Sequence, residues 1–287
     1  MSDPTRRLHV VTAGPQTTVQ DLGRPGYANL GVPRSGALDQ PAHRLANRMV
    51  GNRESAATLE CLLGGLAVRT NHAGTVAVTG ARVPVQVNGR PGAWGSALSV
   101  PAGARLQLGQ VTSGLRAYVA VAGGIDVPEV LGSRSTDLLS GLGPAVLADD
   151  DVLPVGASRG RPGEGEAVTG PPGDFVLRVR LGPREDWFSP NSLAALDGAS
   201  YEATEESNRI GLRLKGEPLA RSRDDELPSE GMVLGAVQVR PNGQPMVFLN
   251  DHPVTGGYPV VGVVLEEDLP VCAQLRPGQS VRLRILD

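Results

Sequence analysis

A mainly β protein with a few short helices is the fold class this sequence predicts, on three observations. Apolar and polar residues alternate in segment after segment. Glycine and proline, 38 and 24 of 287 residues, interrupt those segments without forming a repeat. Apolar residues at helical spacing stand out in only two short stretches.

In chain order, the first of these elements is a helix. Ala42, Leu45, Ala46, Met49 and Val50 make one apolar stripe at the 3.6-residue period. Asp39 is placed to cap its start, Pro41 fits the first turn, and Gly51 suits a left-handed end. TVAVT (75–79), VPVQV (83–87) and LQL (106–108) then alternate, which turns one face to a core and the other to water. Pro84 removes a ladder donor and predicts an edge or a bulge. Residues 156–174, GASRGRPGEGEAVTGPPGD, are polar and without period, as expected of a linker or an exposed loop. Beyond them FVLRVRL (175–181) and VRLRI (281–285) alternate again. Asp268-Leu269-Pro270 repeats the Asp-x-Pro opening ahead of a second short helix. The expected organisation is residues 1–160, a linker at 161–174, and residues 175–287. One echo links the two parts: PAGARLQL (101–108) and RPGQSVRL (276–283) are both glycine turns feeding a strand. Two related barrels would produce it, and so would ordinary turn chemistry.

Composition excludes several functions. The net charge of −3, with both signs interspersed, offers no basic face for nucleic acid. Lys215 is the single lysine and is followed by Gly216, so neither a Walker A loop nor a Schiff-base lysine is expected. The four histidines never fall at ligand spacing, and no metal site is expected. Cys61 and Cys272 form no C-x-x-C and read as buried small hydrophobes. The start lacks a signal-peptide core and no run has the length of a membrane span, so a soluble, cytoplasmic protein is expected.

The polar residues gather in four clusters. In the first, 17–52, Gln20, Asp21, Arg24, Arg34, Ser35 and Asp39 lie among glycines that allow close backbone approach, and arginine offers a fork to a carboxylate or phosphate. Asp39 also suits a plain helix cap, and Arg24 a surface pair. His43 and Asn47 lie one helical turn apart; the histidine suits a general base or simple packing. In GSRSTDL (132–138), Arg134 can clamp an anion that Asp137 orients, or the serines merely cap a turn. Asn208 and Arg209 open a strand in ESNRIG (206–211), and GQPMVFLNDHPVTGGYP (243–259) runs a core strand into Asn250, Asp251 and His252. There Thr255 and Tyr258 are expected to fold over a barrel mouth, with a tight glycine turn as the alternative. No Ser-His-Asp or Cys-His order is present.

Taken together, TTVQDLGRPGY, GVPRSGALDQPAHRLANRMVGN, GSRSTDL, ESNRIGLRL and SEGMVLGAVQVRPNGQPMVFLNDHPVTGGYPVVGVV make the chain resemble a known family from about Val11 onward. This family contains the C subunit of ATP-dependent 5-oxoprolinase, also described as allophanate hydrolase subunit 2, Kip antagonist, or the second half of a biotin-dependent carboxyltransferase domain. The resemblance implies two cyclophilin-like β-barrel subdomains. It also implies one member of a complex that opens 5-oxo-L-proline to L-glutamate with ATP, the nucleotide held mainly by partners. The partners would be a first-half carboxyltransferase-like protein and a lactam-utilisation protein, the B and A components of such a complex. Its alternatives are a carboxyltransferase half-site receiving carboxybiotin, with biotin as cofactor, and a non-enzymatic antagonist of a kinase inhibitor. Under it, Asp251, Arg134 and Asp137 are the expected catalytic residues. Gln20, Arg24, Asp39, Asn47, Asn208, Arg209, Gln244, Thr255 and Tyr258 are the expected substrate contacts. His252 beside Pro253 departs from the Ala-Gln expected of many relatives.

Overall fold

The computed structural model describes residues 5–158, 160–163, 170–171, 173–223 and 225–286. The chain divides into two compact units. Unit 1 holds residues 1–24, 39–137 and 141–171; unit 2 holds 25–38, 138–140 and 172–287. Two short stretches of the N-terminal half, 25–38 and 138–140, thus belong to unit 2.

Unit 1 carries two sheets. A six-stranded one runs in the order Val152–Pro154, Arg7–Thr12, Ala67–Thr70, Arg105–Leu108, Val85–Val87 and Arg90–Gly92. A five-stranded one runs Gln16–Gln20, Thr58–Leu62, Ser113–Val121, Gly74–Arg82 and Ala97–Val100. Leu8, Val10, Val68 and Leu106 from the first join Val19, Leu59, Val78 and Val119 from the second in one core. Pro84 stands just before its strand, where no ladder donor is needed. Arg105–Leu108 keeps the predicted alternation, whereas Gly74–Arg82 is buried continuously from Val76 to Ala81. The reason is helix α1 (Gln40–Met49), which covers the strand's other face: the Thr79 hydroxyl donates to Ala42 O at 2.7 Å.

Unit 2 is built on a closed barrel of seven strands, in the order Val176–Leu181, Val260–Val264, Ala236–Val239, Pro245–Phe248, Gly211–Lys215, Ser200–Ala203 and Ser280–Leu286. The first and last pair in parallel and close the ring. Residues two apart point inward together, so Leu177 and Val179, Leu212 and Leu214, Val237 and Val239, and Val281 and Leu283 fill the barrel. Helix α2 (Pro190–Leu196) was not expected. Its Ser189 cap accepts from Ser192 N at 3.1 Å, but only Leu196 is buried, so it has no apolar stripe to detect. Helix α3 (Leu269–Gln274) follows Asp268 as expected, yet Asp268 does not cap it. The Arg178 guanidinium draws that carboxylate away at 2.7 and 2.9 Å, and the same contact holds it below its usual pKa despite burial.

The echo between residues 101–108 and 276–283 is a shared turn. Gly103 and Gly278 are both left-handed. Ala104 N donates to Pro101 O at 3.1 Å, as does Gln279 N to Arg276 O. Each glycine amide then donates to the end of a neighbouring strand, Gly103 to Thr70 O and Gly278 to Ala203 O, and each strand end donates back, to Ala104 O and Gln279 O. The same three bonds therefore recur in both units.

The glycine-rich stretch after residue 155 is more than a tether. Its first residues run backbone to backbone over unit 1: Gly156 N donates to Gly124 O at 3.0 Å and Gly163 N to Arg48 O at 3.1 Å. A Cβ on Gly123 would overlap the Gly156 carbonyl, and one on Gly160 would overlap that of Gly51. Residues 164–169 and 172 of the expected linker, and residue 159 just before it, lie outside the described residues.

Candidate functional site

Unit 1 holds a recess of about 740 Å³. Asp21, Asn52, Arg53, Asp126, Glu129, Arg134 and a rim of glycines line it. Asp21 leaves the end of the strand Gln16–Gln20 and organises the turn 132–138. Its Oδ1 accepts from the Ser133 and Ser135 hydroxyls, both at 2.6 Å, and from Gly23 N at 2.8 Å; its Oδ2 accepts from Arg134 N at 2.7 Å. Four donors fix this carboxylate in place. The serines of GSRSTDL are thus Asp21 ligands. Arg134 is already shared among Val127 O at 2.8 Å, Asp126 at 2.8 Å and Glu129. Glu129 is its most exposed partner and the cheapest to exchange.

Behind the recess lies a buried polar layer. Gln20 donates to Thr18 Oγ1 and Thr136 O, both at 3.0 Å. Arg24, 1 % exposed, donates to Val130 O and Ser135 O. Asp137 is buried, its backbone bonded to Leu142 and Gly141. Asp39 caps α1, accepting from Ala42 N at 3.0 Å, and its own amide donates to the Tyr118 hydroxyl at 2.8 Å. Tyr118 passes its proton toward Glu60 Oε2 at 2.8 Å; burial, then the Glu60 charge, push its pKa well up. Asn47 closes the end of α1, donating to Ala56 O at 2.8 Å and accepting from Asn52 at 3.0 Å.

His43 faces Thr58 Oγ1 at 2.9 Å and Glu54 O at 3.0 Å. A carbonyl can only accept, so Nε2 carries the hydrogen and Nδ1 accepts from Thr58. Burial lowers its pKa to about 4. His43 is therefore a neutral packing residue that ties α1 to the sheet, and the general-base reading has no support in its geometry.

In unit 2 the end of the strand Pro245–Phe248 turns inward. Asn250, Asp251 and His252 are all buried and do not rim an open mouth. Asp251 receives the Arg209 fork, Nε to Oδ2 and Nη2 to Oδ1 at 2.9 Å each, and its Oδ2 also accepts from Leu138 N at 3.0 Å. Arg209 Nη2 donates besides to Gly36 O at 2.7 Å. The pair neutralises itself inside the unit, so Asp251 has no solvent-facing oxygen with which to position water. Asn250 Nδ2 lies 3.0–3.2 Å from the carbonyls of Ser35, Gly36 and Ala37, and Ser35 N donates to Asn250 O at 2.9 Å.

The remaining expected contacts lie apart within unit 2. Asn208 is exposed and closes its own turn, accepting from Ile210 N at 2.8 Å. Gln244 clamps Gly216 through both its amide atoms, at 2.8 and 3.1 Å. Thr255 sits in a two-residue ladder opposite Gly231. Tyr258 is 43 % exposed, with the Arg221 guanidinium 5.9 Å from its ring centroid. Asp126, Glu129 and Arg53, which line the recess, were not singled out in the sequence; nothing in their local pattern sets them apart. Among the described residues no group of three His, Cys, Asp or Glu is arranged to hold a metal, and no helix is long and apolar enough to cross a membrane.

A closed barrel, a second unit of two sheets and polar turns fixed at strand ends define a mainly β protein of the carboxyltransferase class. The chain belongs, specifically, to the family described as carboxyltransferase domain, subdomain A and B, whose pattern matches residues 30–285. It is 42 % identical to the C subunit of Escherichia coli 5-oxoprolinase over 96 % of this chain and 89 % of that one. It is 34 % identical to urea amidolyase of Lachancea kluyveri over 96 % of this chain, but spans only 17 % of that protein. The Kluyveromyces lactis urea carboxylase structure superposes with a TM-score of 0.90 at 31 % identity, covering 98 % of this chain and 27 % of that one.

Proposed function

We propose that this chain is the C subunit of a 5-oxoprolinase complex, which opens 5-oxo-L-proline to L-glutamate at the expense of ATP. One observation carries the reading: the chain matches the Escherichia coli protein along nearly the whole of both, whereas it matches only a fraction of the urea-processing enzymes. A five-membered lactam is a stable amide, and phosphorylating its oxygen gives water a carbon it can attack. ATP itself belongs to partner proteins of the complex. The recess of unit 1 sets three carboxylates, Asp21, Asp126 and Glu129, against two guanidinium groups, Arg53 and Arg134, a poor setting for a triphosphate. The partners are a first-half carboxyltransferase-like protein and a lactam-utilisation protein, in the cytoplasm.

The likeness to urea amidolyase favours a second reading, a carboxyltransferase half-site for carboxybiotin. The amides of Asn47 and Gln244 are bound internally and leave nothing for the ureido ring, whereas Gln20, whose amino group is held by Thr18 and Thr136, keeps a buried Oε1 without a hydrogen bond among the described residues.

Reconstitution with both partners tests the proposal. Glutamate release from 5-oxo-L-proline is expected only with ATP, and Arg134→Ala lowers it by freeing the turn at the recess. A wild-type complex that releases no glutamate but moves carboxyl from carboxybiotin overturns it in favour of the second reading.

A further inference from the structure

Arg24, Arg134 and Arg209 all spend their guanidinium groups on internal partners. Arg34 does not. Among the described residues it has neither an ion pair nor a hydrogen bond, and its Nε is buried without a partner. The loop that carries it is rigid. Asn250 and Arg209 hold the carbonyls at 35–37, and Ser35 is kept left-handed at φ 52°, a conformation costing about 1–2 kcal/mol in a residue with a Cβ. The Ser35–Asn250 backbone bond at 2.9 Å ties the stretch carrying Arg34 to the stretch carrying His252 at the end of the strand Pro245–Phe248.

His252 is 6 % exposed. Its Nδ1 lies 2.7 Å from Pro253 O, so Nδ1 carries the hydrogen and Nε2 is a bare acceptor. No hydrogen-bond partner for Nε2 is present among the described residues. Phe248 lies beside the ring, centroids 5.7 Å apart and planes tilted by 33°. Burial, helped by the nearby Arg34, lowers the imidazole pKa and keeps it neutral. Asp251, the adjacent acid, is already neutralised by Arg209, and Arg34 is left as an unpaired cation.

We propose that Arg34 and His252 Nε2 form a two-point subsite for a small carboxylate bearing an N–H beside the carboxyl carbon. Resting on the function proposed above, the ligand is 5-oxo-L-proline. Its carboxylate pairs with Arg34 and its lactam N–H donates to Nε2. A simple anion does not satisfy the site, because a bare imidazole nitrogen repels an oxyanion. Urea does not either, because it brings no charge to Arg34.

The test is calorimetric titration of the assembled complex without ATP, using three ligands: 5-oxo-L-proline, its N-methyl derivative, and 2-pyrrolidinone, which lacks the carboxylate. Arg34→Gln is expected to weaken 5-oxo-L-proline about tenfold or more, the scale of one charged hydrogen bond, and to leave 2-pyrrolidinone unchanged. His252→Phe, which keeps an aromatic ring beside Phe248, is expected to remove the preference for 5-oxo-L-proline over the N-methyl form. Arg34→Lys, which keeps the charge if the loop is intact, should recover part of the loss. Unaltered affinities in both variants, or no binding by the wild-type complex, overturn the subsite. Glutamate release with an unchanged KM in both variants sinks the subsite and spares the function; two-point binding without any ATP-dependent release does the reverse.

Discussion

Replacing Asp251 by asparagine preserves its shape and removes its charge. The Arg209 guanidinium, 1 % exposed, would then be left inside unit 2 without a counterion. Two unit charges about 4 Å apart at an effective dielectric of about 20 attract by about 4 kcal/mol. Breaking one side of a buried pair costs about 3–5 kcal/mol for the same reason. A loss of about 4 kcal/mol is therefore expected for Asp251→Asn. Trp187, 4 % exposed in the core of unit 2, reports it once Trp94→Phe has removed the other tryptophan. Urea unfolding followed by its fluorescence gives the number. Joint replacement, Arg209→Met with Asp251→Leu, should recover at least about half, because no uncompensated charge remains. A loss below about 1 kcal/mol, or a double variant as unstable as the single one, refutes the account of this pair as a structural tie. Activity lost by Asp251→Asn in a fully folded complex would return Asp251 to the chemistry.

Three further outcomes follow from the same geometry. His43 has a folded pKa of about 4 against 6.5, so its contribution is complete above about pH 6.5 and is lost as pH falls toward 4; between about pH 7 and pH 5 that is about 2 kcal/mol, and His43→Gln should flatten the urea-unfolding difference by this amount. Asp39→Ala removes the α1 cap and should cost about 1 kcal/mol in the same assay, with Asp39→Ser restoring most of it. Cys61 and Cys272 are free and buried, and burial raises the Cys61 pKa to about 12, so a thiol reagent should label neither until denaturant is added.

Local patterns were enough to read the local structure. Asp39, Pro41 and the stripe from Ala42 to Val50 fixed α1, and period-2 runs located the strands around Leu106, Leu177 and Leu283. The echoed turns were visible because glycine at 103 and 278 serves one backbone geometry. Which core a segment joins was not legible. Leu38 packs in the barrel of unit 2 although its neighbour Asp39 starts a helix of unit 1, and no local period records that choice. The glycines at 156 and 160 read as looseness, when they allow two backbones to touch. For the site, residue type pointed to arginine, but only tertiary partners separate Arg24, Arg134 and Arg209, which hold loops, from Arg34, which has no partner among the described residues.

The loop carrying Arg34 takes its shape from a residue far along the chain: Asn250 is 215 positions beyond Ser35. A ribosome adding about 5–20 residues per second needs roughly 10–40 s to cover that span. Throughout that interval the nascent stretch around Arg34 must wait without its clamp, and the barrel meant to receive it is incomplete. Severing the gene near residue 172 would make the separation permanent and leave the C-terminal product lacking a piece of its own interior.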